Sequence, residues 1–174
     1  MLEEEVIQLN NYINFIEEEW GGDIEFRQPV SEEMVNQIEK ILDYKFPAIF
    51  RWFYVNKTNG LKINNNSILG INDNKNKKIH VENINRFNDP SKELYFKGRP
   101  HIFNDYVIIG YEHSTLVCLS KKYDFDNPLL YYCDNYNNSK GVDFFCMDIN
   151  LEGFIKKMIL DSFGDEDTGE WILK

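Results

Sequence analysis

Basic side chains are the scarcer charged class in this chain: 19 lysines and arginines stand against 29 aspartates and glutamates, a formal net charge of −10 over 174 residues. A field of that sign repels phosphates at long range. It counts against DNA, RNA or an anionic membrane as the main partner and favours capture of a basic protein. Long hydrophobic runs are missing as well. No stretch approaches the roughly 20 apolar residues that span a bilayer. The N-terminus MLEEEVIQLN is acidic where a secretory signal would begin basic and then turn apolar. Cysteine and histidine are sparse, three of each. Cys118, Cys133 and Cys146 form an odd set without a CxxC pair, and their flanks LVCLS, YYCDN and FFCMD have strand character. They read as buried, reduced thiols of a cytoplasmic protein.

Chemistry-bearing motifs are scarce too. His80, His101 and His113 stand at no zinc-ligand spacing with one another or with the cysteines. Cys118 lies five residues from His113, an odd separation that puts the two on opposite faces of a regular strand. The segment NDNKNKKIH carries lysines where a calcium loop needs oxygen ligands. No G-x-S-x-G, phosphate-binding loop or dinucleotide fingerprint occurs. The reading is a non-enzymatic protein with no catalytic residue, no metal and no cofactor.

What is present is a composition that folds: 43% hydrophobic and 15% aromatic residues, enough to bury a core without disulfides or metal. Leu2, Val6, Leu9, Ile13, Ile16 and Trp20 recur at steps of three and four, which predicts a helix from residue 2 to the stop at Gly21 and Gly22. Glu3 to Glu5 suit the positive end of its dipole, whereas Glu17 to Glu19 crowd the negative end.

A second helix starts at Ser31, a good N-cap, with Val30 before it and with Met34, Val35, Ile38, Ile41 and Leu42 expected on its buried face. Pro47 fits the first turn of a third helix lined by Ile49, Phe50 and Phe53, which Asn59 and Gly60 are expected to end. Beyond Gly60 the period shortens. LKIN, SILGI and KKIHVENI are short strand candidates, and residues 85 to 104 lack a period but leave room for a short helix around SKELYF. YVIIGY, TLVCLS, PLLYYCD and VDFFCMD are the clearest strands, and Asn150 caps a closing helix, LEGFIKKMILDSF.

Helices first, strands next and a helix last predict an α+β fold: N-terminal helices, a mainly antiparallel mixed sheet of about five to six strands, and a C-terminal helix. The whole of 1–174 reads as one domain, with an extra helix at 1–22, a core at 29–160 and an acidic tail at 164–174.

The stretch from Ser31 with Glu32 and Glu33, through Glu39 and the Phe46–Pro47 step, to Phe50, Phe53 and the closing Asn59–Gly60 resembles the SUKH superfamily. YVIIGY with TLVCLS is similar to its strand pair, and MDINLEGFIKKMI to its closing helix, with Asn150 at the serine position and Phe154 as second aromatic. Phe46 stands where leucine is usual, and Glu112-His113-Ser114 replaces a glycine-containing turn. The resemblance implies that Ser31, Glu39, Pro47, Phe50, Phe53, Asn59 and Gly60 are structural. It also implies a binding protein of the kind found among bacterial immunity proteins, which silence a cognate toxin, often a nuclease. The yeast cell-wall assembly regulators of the same superfamily suggest a regulatory scaffold as the alternative, and a hydrolase with an unrecognised site is a third reading.

A partner of basic charge points to exposed acids as contacts, here Glu17, Glu18, Glu19 and Asp23, with Asp165, Glu166 and Asp167 in the tail. Trp52, Phe87, Tyr95 and Phe96 are the candidate apolar anchors.

Overall fold

The computed structural model describes residues 2–71, 83–92, 95–96, 98–122, 125–134 and 142–164. Helix α1 spans Leu2–Trp20 and buries Leu9, Ile13, Ile16 and Trp20, as the period predicts. Helix α2, Glu32–Leu42, starts where Ser31 Oγ accepts the Met34 N–H at 3.3 Å. Helix α3 is a short turn, Ala48–Trp52, continued by a π-helical turn at Phe53–Lys57. Pro47 occupies the position just before α3, where its carbonyl accepts the N–H groups of Phe50 and Arg51, both at 3.0 Å. The helical path ends at Thr58, whose extended backbone (φ −157°) breaks it before Asn59 and Gly60 are reached.

The sheet is antiparallel at every named pairing and runs in simple order from β1 to β7. Its strands are Glu25–Phe26, Leu61–Ile63, Asn66–Ile68, Tyr106–Glu112, Thr115–Ser120, Tyr131–Asp134 and Asp143–Cys146. Seven strands exceed the expected five to six because β1 has two residues, too few to show a period. Between β3 and β4 lies α4, Ile84–Phe87, with 3-10 turns at Pro90–Lys92 and Pro100–Asn104. Most of the strand candidate KKIHVENI falls outside the described residues; its end is different, since Asn83 caps α4 and Ile84 begins it. Of the helix expected around SKELYF, Ser91 and Lys92 lie in the first of these turns, Glu93 and Leu94 fall outside the described residues, and Phe96 has a left-handed backbone (φ 54°) that no helix contains. The closing helix α5, Leu151–Phe163, starts where Asn150 Oδ1 accepts the Gly153 N–H at 3.0 Å.

Two glycines make close backbone approaches possible. Gly60 has φ +95°, and a Cβ there would meet the Ile68 carbonyl oxygen at 2.8 Å. Gly110 lies at a register shift of β4, where a Cβ would meet the Ser67 carbonyl oxygen at 2.4 Å. The β4–β7 register sets Tyr106, Cys118, Tyr131 and Phe144 on one face. The segment between α4 and β4 covers that face with aromatic rings. Phe87 stacks on Tyr95 (4.9 Å) and Tyr111 (6.1 Å), and Phe96 packs on Phe103 (5.2 Å) and Phe144 (6.1 Å). The described residues of this stretch therefore form a lid over the sheet, held by aromatic burial.

Candidate interaction surface

The segment richest in family-like residues is turned inward. Glu39, on α2, accepts the Phe46 N–H at 2.8 Å and lies 2.7 Å from the Arg51 guanidinium, which also pairs with Glu32 and receives support from Asn36 at 3.0 Å. Two carboxylates of α2 and one arginine of α3 thus fix the turn between the helices. Burial opposes the charge on Arg51, but the Glu39 and Glu32 contacts outweigh it and hold the guanidinium more firmly protonated.

A second knot joins β1, β2 and β3. Thr58 Oγ1 accepts the Arg27 N–H at 2.9 Å and donates to the Gly60 carbonyl at 2.6 Å, while Asn59 Oδ1 accepts the Ile71 N–H at 2.6 Å. Tyr54, fully buried, donates to the Leu69 carbonyl at 3.0 Å, and burial raises its phenol. Phe50 and Phe53 are fully buried. Each of the seven motif residues makes a hydrogen bond or packing contact within the fold, Ser31 from an exposed position.

The proposed contact residues are placed unevenly. Glu17, Glu18 and Glu19 are exposed on the last turns of α1, and among the described residues no cation pairs with any of them. Asp23 is exposed just beyond, its N–H donated to the Trp20 carbonyl at 2.8 Å. Asp165, Glu166 and Asp167 lie outside the described residues, although α5 ends beside this cluster, where Phe163 stacks on Trp20 at 5.5 Å. Phe87 and Phe96 are buried in the core and present no free face, and Tyr95 is half-buried on Phe87. Trp52 is half-buried at the margin of the core.

The large apolar side chains that do face outward are others: Ile7, Phe15, Ile41, Phe125, Leu129 and Phe145. Ile41 was expected inside with Leu42, but one residue turns a helix by about 100°, and it is 67% exposed. Phe125 and Leu129 border a hollow of about 260 Å³ with Pro128 and Tyr131. Strand alternation hinted at Phe145, the residue between two neighbours on the other face, but nothing in the local sequence marked Ile41.

Ionisable groups gather at one further place. Lys157 on α5 lies 2.5 Å from Glu112, the last residue of β4, and 2.9 Å from Asp161. Burial and the hydrogen bond with Asp161 raise the Glu112 carboxyl. Burial opposes the charged form of Asp161, but Glu112 and Lys157 outweigh it and lower its pKa. The cluster clamps α5 to the end of β4. Among the described residues no three His, Cys, Asp or Glu side chains are grouped to hold a metal. No helix among them is long and apolar enough to cross a membrane.

The cysteines divide. Cys118 and Cys133 are buried free thiols, and burial pushes Cys118 well up and Cys133 to about 12. Cys146 was expected to be buried as well but is exposed, because β7 is the last strand of the sheet and among the described residues has no neighbouring strand on one side.

No curated protein and no solved structure matches the chain. A SUKH family model described as SMI1-KNR4 cell-wall matches residues 32–165, from the first residue of α2 past the end of α5. The span takes in the Glu39–Arg51 clamp, the Thr58–Gly60 knot and the Asn150 cap, and this chain belongs to the SUKH superfamily, in its SMI1-KNR4 cell-wall family.

Proposed function

We propose that this chain is a cytoplasmic immunity protein that neutralises a cognate toxin by stoichiometric binding through its acidic surface, with no catalysis of its own. The toxin is basic, and a nuclease fits best, because carboxylates mimic the phosphates that such an enzyme grips. One observation carries the reading. Helix α1 bears six glutamates and no lysine or arginine. Glu17, Glu18 and Glu19 stand exposed at the negative end of its dipole, where they oppose helix stability. Folding does not account for them, whereas steering and pairing with a cationic partner does.

Co-expression tests the reading. Cells producing a toxin encoded beside this chain should grow when it is present and die when it is absent. Equal killing with and without it, across all such toxins, sinks the proposal. The complex should also weaken as salt screens its ion pairs.

The family description names the cell wall and favours a second reading, a regulatory scaffold for cellular proteins. A partner captured reproducibly from cells that carry no toxin gene would favour it over the first.

A further inference from the structure

Among the described residues the sheet is open, and its two margins differ. Strand β1 has two residues, whereas β7 is paired with β6 along all four. Tyr131 faces Cys146 and Cys133 faces Phe144, and the Met147 N–H donates to the Leu130 carbonyl at 2.9 Å. In an antiparallel ladder, successive residues turn their main-chain groups to opposite sides. The Met147 bond therefore assigns Asp143 and Phe145 to the β6 side and turns the N–H and C=O of Phe144 and Cys146 outward. Among the described residues no group hydrogen-bonds to those four atoms. An unpaired row of this kind is a template for another strand.

The surroundings say which strand. Phe145 is 56% exposed on the face opposite the aromatic lid, beside Asp143 and Asp134. Those two carboxylates stand directly opposite each other across the ladder, which gathers acids on this face. Between Lys122 and Lys156 the sequence holds Asp124, Asp126, Asp134, Asp143, Asp148 and Glu152 against a single base, Lys140.

We propose that β7 is a strand-addition site that takes an extended, basic segment of a partner protein onto its open edge. Main-chain bonds to Phe144 and Cys146 supply the attachment. Selectivity comes from the face carrying Phe145: an apolar residue opposite Phe145 and a lysine or arginine two positions away, opposite Asp143. A second copy of this chain lacks the base: in a two-fold antiparallel pair centred on Phe145, Asp143 would face Met147 and not a lysine or arginine. The proposal goes beyond the toxin reading and applies to any partner with such a segment.

The probe is a short peptide in which threonine alternates with lysine and valine, added to isotope-labelled protein while amide exchange is followed by NMR. Exchange at Phe144 and Cys146 should slow about tenfold, the size expected for one gained main-chain hydrogen bond. The same peptide with glutamate in place of lysine should give no protection. Cys146→Pro removes an outward N–H that the β6–β7 ladder does not use, and it should abolish the effect. Asp134→Lys should weaken it several-fold. If Cys146→Pro fails to fold, the exchange measurement on the unsubstituted protein still decides.

Peptide binding that leaves these two amides unchanged, or shifts only α1, overturns the proposal. So does protection in the free protein, whether it grows with concentration, as self-pairing would, or persists on dilution. Loss of toxin rescue with peptide protection intact removes the immunity reading and leaves this one standing.

Discussion

Helices α1 and α2 are both amphipathic with acidic first turns, yet their charges are used in opposite ways. On α2 the carboxylates serve the fold: Glu32 and Glu39 hold Arg51, and Glu39 also accepts the Phe46 N–H. Lys40 in its last turn suits the helix dipole. On α1 the last turn contains acids and no base, and among the described residues no cation pairs with Glu17 to Glu19. The same contrast recurs in the sheet, where Cys133 on β6 is buried and Cys146 on β7 faces solvent. Residues whose polar groups are satisfied internally explain the architecture. Residues whose groups are left outward are where function must be sought, since folding alone gives no reason for them.

The sharpest test of this division is thiol reactivity. In the native protein Cys146 should react with a maleimide or disulfide reagent freely. Cys118 and Cys133 should react only through unfolding, on the order of 1,000-fold more slowly. The raised pKa of Cys133, about 12, keeps that thiol protonated across the working range of such reagents. Labelling of all three at one rate would break the comparison between β6 and β7.

Next in size is the core beneath α3. Phe53→Ala should cost about 3–5 kcal/mol, read as a lower denaturant midpoint. Glu39→Ala should follow at about 2 kcal/mol, because it strips the Phe46 N–H of its acceptor and Arg51 of one of its two carboxylates. A cost near zero would mean that the acids of α2 are as idle as those of α1. The smallest effect has the opposite sign. Replacing Glu17, Glu18 and Glu19 by glutamine should raise stability by roughly 0.5 kcal/mol by relieving the dipole. The same variant should slow partner association and flatten its salt dependence. A triple variant that loses stability would place these acids with the structural ones.

Much of the inward-facing half was legible. The 3.6-residue period marked α1 and α5, and Ser31 and Asn150 cap α2 and α5 as their positions suggested. The four clearest strand candidates also overlap β4 to β7, although PLLYYCD and VDFFCMD extend past the observed strands, whereas β1 was invisible at two residues. The outward half was harder to read. Ile41 looks like a core residue beside Leu42, and Phe87 and Phe96 look like free aromatics in a patternless stretch; packing reverses both. Burial of a single residue depends on what covers it, and for these residues the covering atoms come from distant parts of the chain.

By itself, the sequence determined α1, α2 and α5, the four clearest strands, the acidic field and the family resemblance, because capping, period and charge act over a few residues or over the whole sum. Only the tertiary structure decided which aromatics are sealed under the lid and which strand is left with an open edge. Those outcomes follow from how sheet register and long-range packing distribute solvent, and no local pattern encodes them.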